Sequence, residues 1–209
     1  MDTDTAPRRR KPRMPIEVRR EEVLDAALRI ILEQGYAAVS MEAVARAAAL
    51  AKPRVYAAFP DRDALLSALW QREATHALAD LATAMPPFDT DDPEATLLAA
   101  FANLLRAAGE RPESWRLLLL PAAESPDEVR RHADATRAFA RRQLHGLLEW
   151  GAGQRPDTAP LDLELASHAL LAVGEQLGKL FLTDPDRFSA DRCVSFARDA
   201  LRTIASPQS

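Results

Sequence analysis

The sequence predicts an all-α protein of about nine helices, and three observations carry that prediction. Apolar residues recur at spacings of three and four along most of the chain. Proline and glycine breaks cut those stretches into segments of helical length. No stretch alternates polar and apolar residues for long enough to build a sheet, and no internal repeat is visible. Composition agrees, with 7 Gly in 209 residues and a high Ala, Leu and Arg content. The 47% hydrophobic fraction excludes disorder of the whole chain. At this length roughly 70% of the unfolded surface is buried on folding, so a sizeable core is available.

Residues 1–17, rich in Pro and Arg and without periodicity, read as a flexible basic arm. From Val18 the pattern is helical: Leu24, Ala27, Leu28 and Ile31 fall on one face, Glu22, Asp25, Arg29 and Glu33 on the other. Gly35 stops that helix. Ser40 is a natural N-cap for the second, whose stripe is Met41, Val44, Ala45 and Ala48. After a break at Ala49-Leu50-Ala51, Pro53 suits the first turn of a short third helix carrying Val55, Tyr56 and Phe59, which Pro60 ends. A long fourth helix runs from Arg62 to about Ala84 and closes at Met85-Pro86-Pro87. Asp92-Pro93 opens a fifth, to Gly109, and Pro112 a short sixth ending at Pro121. Ser125-Pro126 is a cap-plus-first-turn pair for a seventh helix to Gly151, and 151–160 reads as a loop. The eighth spans about Leu161 to Thr183, and after Asp184-Pro185 the ninth runs from Ser189 to Ile204.

The formal charge of −4 conceals an asymmetry. Residues 1–62 carry 12 basic and 9 acidic side chains, whereas residues 63–209 carry 15 and 22. A basic front on an acidic body fits a DNA-reading module joined to something else, and equally a solvated tail on an ordinary surface. The single cysteine, Cys193, excludes a disulfide framework, and four scattered histidines leave no zinc site, so neither metal nor cofactor is expected. The apolar stretch Leu97–Leu105 is too short to span a bilayer and contains Asn103. Arg8-Arg9-Arg10 is followed by Glu17, Arg19, Arg20, Glu21 and Glu22 where an export signal needs an apolar region. A cytoplasmic protein without a membrane partner is expected.

Residues 41–59, MEAVARAAALAKPRVYAAF, have the spacing of a helix-turn-helix. Ala45 supplies the small residue where the second helix crosses the first, and Ala49 stands at the turn. Leu50 and Val55 tuck beneath both helices and leave Lys52, Pro53, Arg54, Tyr56 and Ala57 outward. Lys52 and Arg54 have the reach for phosphates or guanine edges, and the Tyr56 hydroxyl suits a phosphate. Ser40, beside a helix N-terminus, and Arg62, opening the fourth helix, are further phosphate candidates. Taken alone, the fragment also fits a helical hairpin with exposed charges.

The whole of 18–66 goes further. The leading amphipathic helix, Gly35-Tyr36, Ser40, the hairpin, Tyr56-Ala57-Ala58-Phe59 and Asp61-Arg62-Asp63-Ala64-Leu65-Leu66 together resemble the TetR family of bacterial transcriptional regulators. The resemblance implies a helix-turn-helix head over 18–62 and a ligand-binding and dimerisation domain over 63–209, built as a helical bundle. It also implies a homodimer on a palindromic double-stranded DNA operator, with repression relieved by a small-molecule effector. The chain departs from the family pattern at Ala49, where Gly is usual, and at Ala51, where Ser or Thr usually caps the recognition helix. A Cβ in a left-handed turn costs about 1 kcal/mol, and the missing cap costs about as much. Arg62 replaces the family's lysine.

Arg8 to Arg13 packs five positive charges into six residues, suited to a minor groove or to a solvated tail that attracts DNA without specificity. In the body, Leu163, Ala166, Leu170, Val173, Leu177 and Leu180 form one stripe, with Gly174 and Gly178 four residues apart. Ala190, Val194, Ala197, Leu201 and Ile204 form another. The resemblance implies that these last two helices pair with their symmetry mates as a four-helix bundle. Phe101, Trp115, His145, Trp150, His168, Glu175 and Gln176 are candidates for a ligand cavity, each also compatible with an ordinary core or interface position. Trp70 lies on the helix that would couple body to head. No nucleophile elbow, phosphate loop or zinc-protease motif is present, and catalysis is not expected. A non-specific DNA-binding or adaptor protein and an activator of the same fold remain as alternatives.

Overall fold

The computed structural model describes residues 16–86, 92–119, 127–154 and 161–205. Among these the chain is all helical: α1 (Ile16–Gln34), α2 (Met41–Ala47), α3 (Lys52–Ala58), α4 (Arg62–Ala84), α5 (Pro93–Glu110), α6 (Pro112–Leu119), α7 (Asp127–Gly153), α8 (Leu163–Thr183) and α9 (Ala190–Ala205). The arm over 1–15, Pro121, the Ser125-Pro126 pair and residues 155–160 lie outside the described residues. Residues 16 and 17, read with the arm, are the first residues of α1.

Local chemistry sets the boundaries. Ser40, Asp61, Asp92 and Asp162 each accept a hydrogen bond from the backbone N–H three residues on, which satisfies a donor left over in the first helical turn. Gly35 ends α1 with φ of 83°, in the left-handed region. It leads into a one-turn 3-10 segment, Tyr36–Ala38, too short to leave a periodic trace in the sequence. Gly151 does not stop α7, which continues to Gly153. A Cβ at Gly151 would stand 2.9 Å from Pro93 Cβ, so this glycine lets the end of α7 lie against the first turn of α5.

One apolar core joins α1 to α4 and reaches into α6 and α7 through Leu117, Val129 and Ala133. Leu65, Leu66, Leu69 and Trp70 of α4 are buried at its centre. Three ties across helices satisfy polar groups at the edges of that core. Arg20 donates to the Ala58 carbonyl at 2.5 Å and lies over the Phe59 ring, closing the C-terminus of α3. Arg72 of α4 pairs with Glu21 and Asp25 of α1 and with its neighbour Glu73. Arg116 of α6 donates to the Leu182 carbonyl near the end of α8.

The two stripes read as dimer-forming face largely inward. Leu170, Leu177, Gly174 and Gly178 of α8, and Ala197 and Leu201 of α9, border a cavity inside the subunit. Cβ atoms built at Gly174 and Gly178 would meet Phe101 at 4.0 Å and Leu119 at 3.5 Å, so these glycines admit α5 and α6 side chains. Exposed apolar residues of the body are Leu161, Leu165 and Val173 on or beside α8, and Phe196 on α9, of which only Val173 belongs to either stripe. Cys193 is a buried thiol whose titration burial pushes upward.

Candidate functional site

The turn between α2 and α3 is a Schellman motif. Leu50 N–H donates to the Ala45 carbonyl at 2.9 Å and Ala49 N–H to the Arg46 carbonyl at 3.1 Å, with Ala49 at φ of 54°. Glycine is the residue without a Cβ penalty in this conformation, so the departure read in the sequence is a strained alanine. At α3 the N-cap Ala51 makes no side-chain cap, and Pro53 occupies the first turn.

Val55 is fully buried beneath the hairpin and Leu50 packs against the same core. Lys52, Pro53, Arg54, Tyr56 and Ala57 are all exposed on the opposite side of α3, Tyr56 at 46%. Lys52 Nζ stands 3.2 Å from Glu42 Oε1, and that hydrogen bond draws the Glu42 carboxyl below its ordinary range. Both partners face solvent, so the pair holds Lys52 only loosely. Ser40 is exposed at the N-terminus of α2, with its Oγ accepting from Ala43 N–H.

Arg62 has work inside the protein that the sequence did not disclose. Its Nε donates to the Val39 carbonyl at 2.8 Å and its Nη2 to the Tyr36 carbonyl at 2.7 Å. Only Nη1 is left, 3.8 Å from Asp63. Arg62 is thus a clasp between the first residue of α4 and the segment that precedes α2, with its side chain still 37% exposed. Behind it, Trp70 Nε1 donates to the Tyr36 hydroxyl at 2.8 Å in the core. Burial raises the Tyr36 hydroxyl to about 12, against the lowering effect of that hydrogen bond.

A cavity of about 290 Å³ opens among α4 to α9. Phe101, Trp115 and Glu175 line it as expected, and so do Trp70, Arg137 and Gln143. Four candidates do not. His145 lies in a separate polar cleft beside Arg141 and Arg142, with Nε2 3.3 Å from Glu149. Trp150 is outside the wall, and His168 and Gln176 are exposed on α8. Arg137 was missed because an arginine on a charged helix looks like surface. Its signal was the position one turn from Ala133 and Ala140 on the same face of α7.

Residues 23–69 match the family model described as bacterial regulatory proteins, tetR family. Among curated proteins none matches the sequence. Among solved structures, a TetR-like transcriptional regulator from Rhodococcus sp. RHA1 is 27% identical with a TM-score of 0.76, over 93% of this chain and 100% of that one. The fatty acid degradation regulator FadR from Bacillus halodurans superposes with a TM-score of 0.70 at 19% identity, covering 91% of this chain and 96% of its own. SmeT in its triclosan complex gives 0.69 at 19% identity, covering 90% and 91%. The latter two are likenesses of fold alone. The head over residues 23–69 thus matches the tetR family's model, and the helical fold along the rest of the chain is similar to that of the TetR-like regulator from Rhodococcus.

Proposed function

We propose that the chain is a dimeric repressor that leaves a palindromic operator when a small molecule enters the body cavity. The observation that carries this reading is the placement of α4. Arg62 binds its first turn to the head, and Trp70, Ala77, Leu81 and Ala84 further along form part of the cavity wall. A ligand that widens the cavity presses on the helix that holds the segment before α2. The SmeT–triclosan complex is a precedent for a small molecule bound by a protein of this fold. Each tenfold loss of operator affinity requires about 1.4 kcal/mol of differential ligand binding between the two states.

In this reading α3 enters the major groove with Lys52, Pro53, Arg54, Tyr56 and Ala57, and Ser40 at the start of α2 meets a phosphate. Arg62 supports them by holding the turn. A second copy covers the exposed apolar face at Leu165, Val173 and Phe196, which an isolated subunit leaves in water. Two heads then meet half-sites about one helical turn apart, or a multiple of it.

Selection of bound duplexes from a random library, at near-physiological salt, tests the reading. A palindromic consensus is expected, and Arg54→Ala should relax it at one position in each half-site. Enrichment of no sequence, with binding that vanishes as salt is added, would replace specific reading by non-specific attraction.

A further inference from the structure

We infer that the cavity takes an uncharged apolar molecule bearing one hydrogen-bond acceptor, such as an ester, lactone or ketone, and that the Arg137–Glu175 pair rejects its ionised counterparts. The inference rests on the effector reading above and names the ligand class for the same cavity.

The wall is built mostly from alanine, leucine and aromatic side chains, and most of its polar atoms are already occupied. The indole N–H of Trp70 is taken by Tyr36 and that of Trp115 by Asp80, at 3.0 Å. Neither acceptor belongs to the wall, so both tryptophans offer the cavity ring surface only. The Thr136 hydroxyl donates to the His132 carbonyl of its own helix. Among the described residues, the charged ones that border the space are Arg137 of α7 and Glu175 of α8, with Gln143 further along α7.

Arg137 Nε donates to Glu175 Oε1 at 2.9 Å, and the two side chains are 33% and 23% exposed. The wall therefore carries a compensated charge. The terminal nitrogens of Arg137 make no hydrogen bond to protein among the described residues, which leaves N–H donors for a ligand oxygen. A neutral acceptor takes one of them without disturbing the pair. A carboxylate brings a second negative charge next to Glu175, between apolar walls that screen it poorly, and an ammonium meets Arg137 in the same way. Ionic ligands lose their hydration and find no uncompensated partner in return. At about 290 Å³ the space is near the lower end for small-molecule sites, which limits the apolar body to a medium alkyl chain or a small ring system.

The test uses the full chain at neutral pH and three probes with one alkyl chain: methyl octanoate, octanoate and octylamine. Fluorescence of Trp70 and Trp115 reports occupancy. Methyl octanoate should bind at least about tenfold more tightly than either ion. Glu175→Gln leaves Arg137 uncompensated and should move octanoate to the front of the order. Arg137→Gln leaves Glu175 uncompensated and should do the same for octylamine, so the test survives if one variant fails to fold. An ion that binds the unaltered chain as tightly as the ester overturns the inference. So does a folded variant that keeps the original order, or binding of none of the three. The effector reading fails separately, if the ester binds and operator affinity at saturation is unchanged.

Discussion

In the head and the first turns of α4 that pack on it, Val23, Ala26, Val44, Val55, Leu65 and Leu66 are sealed from solvent, and polar groups such as Arg20 and Arg62 are spent on backbone carbonyls there. In the body, α8 buries only Ser167, Gly178 and Leu182 along its 21 residues, although most of its side chains are apolar. The difference separates two uses of the same element. The short helix α3 seats only Val55 and Ala58, but both are buried in that sealed core. Helix α8 borders a cavity within and carries exposed Leu165 and Val173 without, so much of its apolar surface is left unpacked within the subunit.

Truncation of a leucine on each side should show the contrast at its largest. Leu65→Ala, in the sealed core, should cost about 2–5 kcal/mol in urea unfolding. Leu170→Ala, on the cavity wall, loses contacts on one side only and should cost about 1 kcal/mol. Equal losses would mean that the body is packed as tightly as the head.

Alkaline unfolding sharpens the comparison at one atom. Because the folded state raises Tyr36 to about 12 from 10.0, it holds that proton more firmly than the unfolded chain. The resulting stability is complete below about pH 10 and is lost as pH rises through about 12. The loss should approach about 2–3 kcal/mol. Tyr36→Phe should flatten that pH dependence and leave the buried Trp70 N–H without its acceptor. A variant that keeps the full alkaline slope would place its origin elsewhere.

The head is not strained equally throughout, and its turn sets the smallest effect. Ala49→Gly should raise the midpoint of unfolding, with a gain of about 0.5–1 kcal/mol after the added freedom of the unfolded chain is subtracted. Ala51→Ser, which restores a side-chain oxygen at the N-cap of α3, should add about as much. No gain from either would indicate that the turn relaxes without cost.

The same comparison explains what could be read from the chain beforehand. Head elements were legible because one face of each is apolar and residue type marks the boundaries: Ser40 before α2, Pro53 in α3, Gly35 after α1. The body kept its helices legible and its faces hidden. With apolar residues on more than one side of α8, one periodic stripe holds both Leu170, which borders the cavity, and Val173, which is 45% exposed. His168 and Gln176 stand exposed on the same helix, outside the cavity wall. The tertiary hydrogen bonds of Arg62 and the pairing of Arg137 with Glu175 join residues 23 or more apart in sequence, and no local pattern announces them.

The clasp at Arg62 also turns α4 into a lever. Its 23 residues span about 34 Å, with one end fastened to the segment before α2 and the other beside the cavity. Over that length a tilt of about 5° displaces an end by about 3 Å, nearly the rise of one base pair at about 34 Å per turn. On the repressor reading proposed above, a few degrees at the cavity would carry the reading face out of register with its half-site.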